Sequence, residues 1–184
     1  MKKWKFITAL ALILAVANLF FLYQQHQLSK TDFLAPEDYL EIQQLYSYYA
    51  RDVDSGSQRD ASWMYTEDGV WEVEGVISWH GKEELKKHYT TMPPGVSKNG
   101  IRHFTTNLIL VPTDEGVRGS IYMLSVQRRV EDGPLEINMM GKYEDLLVKT
   151  DKGWRFKSRI FRSDSWFDSD REVLPSLFIP VASE

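Results

Sequence analysis

The chain has no cysteine, which removes disulfides, thiolate metal sites and a cysteine nucleophile from consideration. Histidine is scarce, with four in 184 residues. Of these, His80 falls at a strand end and His88 on a charged helix, too isolated to form a metal set with His103, so neither a metal nor an organic cofactor is expected. Basic charge is also short. Of 22 Lys and Arg residues, Lys2, Lys3, Lys5 and Lys30 precede Thr31, leaving 18 basic against 26 acidic side chains in the remainder. That balance disfavours nucleic acid as a partner. There is no internal repeat and no low-complexity segment. What the chain does have is rings: 13% aromatic residues, six of them Trp, which favours a ring-lined core or cavity and a small hydrophobic molecule as ligand.

One long apolar run exists, Phe6 to Tyr23, preceded by Lys2, Lys3 and Lys5 and followed by Gln24-Gln25-His26-Gln27. As a helix these 18 or so residues span roughly 27 Å, enough for a hydrocarbon core. The lysine flank orients the C-terminal domain into the periplasm or extracellular space, with Trp4 and Tyr23 at the two interfaces. The expectation is an uncleaved membrane anchor. A signal peptide cleaved near Ala17, at Ala15-Val16-Ala17, is the rival reading and leads to secretion. The division expected is 1–30 for the leader and start of the linker, 31–170 for one domain, and 171–184 for an irregular tail.

Pro36 at a first helical position, Glu37 and Asp38 in the first turn, and Ile42, Leu45, Tyr46, Tyr49 and Val53 on one face predict an amphipathic helix ending near Gly56. A short helix over Arg59 to Tyr65 comes next, then strands at Val70 to Val76 and around Ile77 to Trp79, and a charged helix over Lys82 to Tyr89. From Ile101 onward the pattern is all strand. Turn signals at Thr113-Asp114-Glu115-Gly116, Glu131-Asp132-Gly133-Pro134 and Thr150-Asp151-Lys152-Gly153 divide it into four strands of an antiparallel meander. Helices first and sheet afterwards make the class α+β. Tyr143, Asp145, Trp154 and Arg159 read as ties between neighbouring strands.

The helix ending Tyr48-Tyr49-Ala50-Arg51-Asp52-Val53-Asp54, the segments Tyr65-Thr66-Glu67-Asp68-Gly69-Val70-Trp71 and Arg102-His103-Phe104-Thr105-Thr106-Asn107, and Gly141-Lys142-Tyr143-Glu144-Asp145 before Gly153-Trp154-Arg155-Phe156 together resemble the SnoaL-like families of the nuclear transport factor 2-like superfamily. The resemblance implies a cone, a strongly curved, mostly antiparallel sheet wrapped around three helices, with an apolar pocket at its wide end and a homodimer formed through the sheet's open face. The pattern around the site is similar to lindane dehydrochlorinase, which implies a catalytic aspartate at Asp54, a histidine at His103 and a pocket tryptophan at Trp71. Scytalone dehydratase's tyrosine and histidine arrangement is not cleanly matched. Helix periodicity does not choose between Asp52 and Asp54; the resemblance selects Asp54.

A histidine held by a carboxylate can take a proton from an acidified carbon while the acid fixes its tautomer and stabilises the imidazolium. Such a dyad suits elimination, double-bond migration or enol-forming cyclisation, provided donors meet the developing negative charge. Tyr49, Thr105 and Asn107 are the candidate substrate contacts. On an alternating strand His103, Thr105 and Asn107 share one face, while Arg102 points away. Two functions are compatible with these residues: a cofactor-independent lyase or isomerase, or a membrane-tethered, non-catalytic ligand-binding or protein-interaction module.

Overall fold

A computed structural model of the chain describes residues 15–22, 34–55, 60–91, 100–128 and 133–164. The chain separates into two compact units, Met1–Leu34 and Ala35–Glu184. In the first, residues 15–22 are helical. Most of the expected anchor and its lysine flank lie outside the described residues, as does the 171–184 tail. Among the described residues no helix is long and apolar enough to cross a membrane.

The second unit opens with α1, Pro36–Asp54, with proline at its start, Glu37 and Asp38 in the first turn and Arg51 in the last, each placed to suit the helix dipole. It buries Ile42, Leu45, Tyr46, Tyr49 and Val53, the predicted stripe, and each such burial contributes about 1.5–3 kcal/mol. The next, short helix is a 3-10 turn, Ala61–Met64, started by Asp60, whose carboxylate accepts from Ser62 N at 2.8 Å. Strand β1, Tyr65–Val73, begins earlier than the sequence pattern suggests. Glu67-Asp68-Gly69 lies in the register break between Tyr65 and Val70, an irregularity inside the strand. Gly69 is required there because a Cβ would come within 2.8 Å of the Tyr65 Cβ. β1 ends at Val73, and the turn through Gly75, at φ 71°, leads into β2, Ile77–His80. Helix α2, Gly81–Thr90, starts with the Glu84 carboxylate accepting from His80 N at 2.8 Å and buries Leu85 and Tyr89.

The meander then runs β3, Arg102–Thr113, β4, Gly116–Arg128, β5, Leu135–Thr150, and β6, Gly153–Ser163. The sheet order is β2-β1-β6-β5-β4-β3. All neighbours are antiparallel except β1 and β6. The result is an α+β fold with a curved, mixed six-stranded sheet, bent where the register breaks. Alternation along β4 and β5 sends Val117, Ile121, Met123, Tyr143 and Leu147 inward with α1's stripe. At the opposite end of α1, Asp38 and Glu41 accept from Trp154 Nε1 and Trp154 N, both at 2.8 Å, clasping the helix start to the β5–β6 turn.

Candidate functional site

Asp54 is the last residue of α1 and His103 the second of β3, so the helix end delivers a carboxylate to the start of the long edge strand. One oxygen, Asp54 Oδ1, accepts from both His103 N at 3.0 Å and His103 Nδ1 at 2.7 Å. The backbone bond fixes where the carboxylate sits, and the ring bond fixes which way the imidazole faces. With Nδ1 as donor the tautomer is set, and Nε2 is left as the basic nitrogen. Both side chains are largely enclosed, 9% exposed for His103 and 13% for Asp54. Asp52, about 200° away around the helix, is buried in another direction and accepts from Trp63 Nε1 at 3.3 Å. Of the two acids, Asp54 is the one that meets His103.

Thr105 succeeds His103 on the half-buried side of β3. Asn107 does not. The register breaks between Thr106 and Ile109, Asn107 takes φ 59°, and its exposed side chain accepts from Thr106 Oγ1 at 3.2 Å. A bulge has no signal in the alternating pattern, so the shared face expected for His103, Thr105 and Asn107 stops at Thr105. Arg102 is exposed and donates to Ile101 O, in keeping with its outward direction.

Tyr49 is buried, its hydroxyl accepting from Tyr89 at 3.3 Å, while Tyr89 and Tyr65 share a bond of 2.9 Å. Trp71 is buried on β1, its ring 4.8 Å from Trp79 and stacked at 5.3 Å on His88. His88 is also 3.8 Å from Trp79, and its buried Nε2 has no hydrogen-bond partner among the described residues. Burial in this stack pulls the imidazole down to about 4.

Arg159 and Asp145 face each other across β5 and β6, as the strand-tie reading expects. Their complete burial is not legible from the sequence. Arg159 Nε and Nη2 donate to the two Asp145 oxygens at 3.0 and 3.1 Å, and Tyr46 Oη donates to Oδ2 at 2.5 Å. The rings of Tyr49, Tyr143, Phe156 and Tyr46 lie 4.0, 4.1, 4.2 and 4.8 Å from the guanidinium carbon. Nη1 has no hydrogen-bond partner among the described residues. Burial pushes the Asp145 carboxyl up, opposed by Arg159. Burial also pushes Tyr143 up to about 12, with Arg159 opposing and the Asp145 and Asp54 charges adding. Tyr143 therefore stays protonated at physiological pH. Among the described residues, no three His, Asp or Glu side chains converge as a metal set.

The sequence profile of the SnoaL-like domain matches residues 35–160. No curated protein matches the chain. Among solved structures, Rv3472, a protein of unknown function from Mycobacterium tuberculosis, is 25% identical and has a TM-score of 0.60, covering 71% of this chain and 76% of its own. A Catenulispora acidiphila protein solved in complex with S-DNPA is 25% identical with a TM-score of 0.61, over 72% and 97% of the two chains. A Novosphingobium aromaticivorans protein provisionally named a scytalone dehydratase is 20% identical with a TM-score of 0.58, over 71% and 89%. At that identity the last is a likeness of fold.

Proposed function

The chain belongs to the SnoaL-like domain family, and from that premise we propose that it is a cofactor-independent lyase or isomerase acting on a small, largely apolar molecule, with His103 as the base and Asp54 as its orienting carboxylate. The observation that carries this reading is the double acceptance at Asp54 Oδ1 from His103 N and Nδ1. It commits one ring nitrogen and frees the other in a largely enclosed place.

Nε2 takes a proton from a carbon next to an electron-withdrawing group, and Asp54 stabilises the imidazolium that results. The electron pair left on carbon either expels a leaving group, as in dehydration or dehydrohalogenation, or shifts into a double bond. A hydrogen-bond donor must meet the negative charge that develops, and Thr105, next on the same side of β3, is the hydroxyl nearest in the strand. Trp71 contributes to the reading as part of the buried ring set, and Thr105 as the hydroxyl beside His103. The test uses the full chain in detergent, incubated in deuterium oxide with 2-tetralone, whose activated C–H bonds report proton abstraction by NMR. Wild type accelerates deuteration. His103→Ala lowers the rate by about 10²–10⁴ while leaving affinity near wild type. Equal rates in the two proteins would sink the enzyme reading in favour of a binding module.

The outer face of β3 and β4 exposes Phe104, Ile109, Val111 and Tyr122. Next to them a groove of about 460 Å³ is floored by Gly119, Ser120 and Ser158. An apolar face of this kind fits a second copy of the chain. Tyr122→Glu would then reduce a dimer to a monomer in sedimentation, whereas an unchanged mass removes this face as the contact.

A further inference from the structure

We infer that the outer flank of α1, together with Trp63 and Arg155, is a surface that lies on a lipid bilayer, with Leu40, Tyr48 and Trp63 among the headgroups and Arg51 and Arg155 at the phosphates. The inference does not depend on the dyad of His103 and Asp54, and it uses the expected anchor only for proximity.

The face of α1 opposite its buried stripe is made of Leu40, Gln44, Ser47, Tyr48 and Arg51, which recur at helical spacing. All five are exposed. No charged residue occurs between Glu41 and Arg51. A helix face turned to water is normally charged, and α2 is built that way, exposing Glu83, Glu84, Lys86 and Lys87. On α1 the same position holds amides, a hydroxyl, a leucine and a tyrosine. Gln44 Nε2 donates to Tyr48 Oη at 3.3 Å, and the Tyr48 ring lies 6.1 Å from that of Trp63, which carries the row onto the 3-10 turn. Leu40, Tyr48 and Trp63 are 63, 41 and 39% exposed. A single exposed apolar residue needs no explanation, whereas a connected row does.

The charges around the row fit phospholipid. Arg51 closes it at the end of α1, and the Arg155 guanidinium carbon stands 5.4 Å over the Trp63 ring. Nearby carboxylates are committed to the fold: Asp38 to Lys149 and Trp154 Nε1, Glu41 to Trp154 N, Asp52 to Trp63 Nε1. Glu37 stands one turn before Leu40 and marks where the row ends. Tyrosine and tryptophan rings with arginine beside them are what a headgroup layer accepts, rings at the acyl boundary and guanidinium on phosphate oxygens. The chain upstream selects lipid over other covers. Residues 15–22 are helical, and Val16, Leu19, Phe20, Phe21 and Leu22 are each more than half exposed. Those positions fall on every side of a helix, which suits hydrocarbon rather than water. Thirteen residues separate Leu22 from Pro36, a reach of at most about 50 Å when fully extended. A second copy fits less well, because the apolar outer face of β3 and β4 lies on the side of the sheet away from α1, and a partner there leaves the α1 flank bare.

The chain has no cysteine, so Gln44→Cys, and Lys86→Cys as a control on α2, each give one attachment point for a nitroxide. The full chain carrying one label is reconstituted in vesicles of phosphatidylcholine and phosphatidylglycerol. Power-saturation electron paramagnetic resonance then compares collisions with oxygen, which concentrates in lipid, and with a water-soluble nickel chelate. The oxygen-to-nickel ratio at position 44 is expected to exceed that at position 86 several-fold. Leu40→Glu and, separately, Tyr48→Glu return the ratio at position 44 to that at position 86 without changing Tm. Equal ratios at the two positions in the otherwise unaltered chain overturn the inference. So does a label at position 44 shielded from both oxygen and nickel, because protein would then cover the row. A ratio that neither glutamate lowers, a fall in Tm in both glutamate variants, or a chain that does not float with the vesicles overturns it equally.

Discussion

Two acid–base pairs sit in this fold, and they differ in what remains unused. Asp145 and Arg159 are mid-strand, completely buried, with both carboxylate oxygens taken and four rings around the guanidinium. Asp54 and His103 join a helix end to a strand start, and both side chains touch the exterior. Asp54 spends one oxygen on two donors. In the first pair nearly every lone pair and proton is consumed in holding β5 and β6 to α1. In the second, a ring nitrogen stays available. Position along the strand decides this, because a pair in mid-strand is covered by neighbours on every side while a pair at a strand end has an open quarter.

The sharpest way to break the contrast is to remove one charge from each pair. Asp145→Asn leaves a buried guanidinium uncompensated and is expected to cost about 3–5 kcal/mol in urea unfolding, enough to leave a domain of this size marginal. His103→Ala takes away the ring bond to Asp54 at a partly open site while the backbone N–H bond stays, and is expected to cost less than about 1.5 kcal/mol. If both variants lose the same stability, the two pairs are equally architectural. A finer cut is Asp54→Asn, whose amide can present a donor to the ring and favour the wrong tautomer. Deuteration of 2-tetralone is expected to fall by about 10²–10⁴ with little change in Tm, and an undiminished rate would show that Asp54 does not orient the base.

The same contrast explains what can be read from the sequence. Ile42, Leu45, Tyr46, Tyr49 and Val53 repeat at helical spacing, and the Asp-Gly and Gly-Pro turns punctuate the meander. The helix α1 and the four long strands are therefore legible to within a few residues. Pairing of distant elements is not. Nothing local indicates that β1 lies parallel to β6 or that Arg159 is sealed by four aromatic side chains from two strands and a helix. Bulges are the other blind spot. Asn107 is expected beside Thr105 and is turned out by one, while Asn138 carries no signal in the pattern and is turned in by another. Asp54 and His103 can be named because the resemblance supplies the pair; periodicity alone stops at Asp52 or Asp54.

His88 offers an intermediate effect that sharpens the difference between enclosed and open histidines. It is stacked on Trp71 and Trp79 with Tyr89 at its edge, and burial holds it down to about 4 from an ordinary 6.5. The folded state therefore favours the neutral ring. Its contribution is fully present above pH 6.5, declines as pH falls from 6.5 to about 4, and is constant below. The loss across that window is up to roughly 2–3 kcal/mol. His88→Phe keeps a ring between the tryptophans and removes the titration. Urea midpoints of the two proteins should diverge as pH drops from about 7 to about 4 and run parallel below; parallel midpoints throughout would show that His88 is not sealed in the fold.

The smallest effect is expected where charge is exposed and only geometry is retained. Asp38 accepts from Trp154 Nε1 at 2.8 Å and pairs with Lys149 at 2.6 Å, and the Lys149 and Trp154 bonds hold its carboxyl below the usual range. Lys149 is more than half exposed, so water and salt screen the ion pair strongly. The indole bond is better enclosed and is expected to contribute about 0.5–1.5 kcal/mol. Asp38→Asn retains an acceptor for the indole and should change the urea midpoint hardly at all, whereas Asp38→Ala removes both bonds and should lower it measurably. Because the Asp38 carboxyl is depressed in the folded state, its share of stability is present above pH 3.8 and is lost only as pH falls below that value. That places it under the His88 window, so a titration of stability from about pH 7 downward should show the two losses in sequence. Asp38→Asn abolishes only the lower one. If Asp38→Asn were as damaging as Asp38→Ala, the charge rather than the acceptor would be what clasps α1 to the β5–β6 turn, and exposed pairs in this fold would matter more than the buried-versus-open contrast allows.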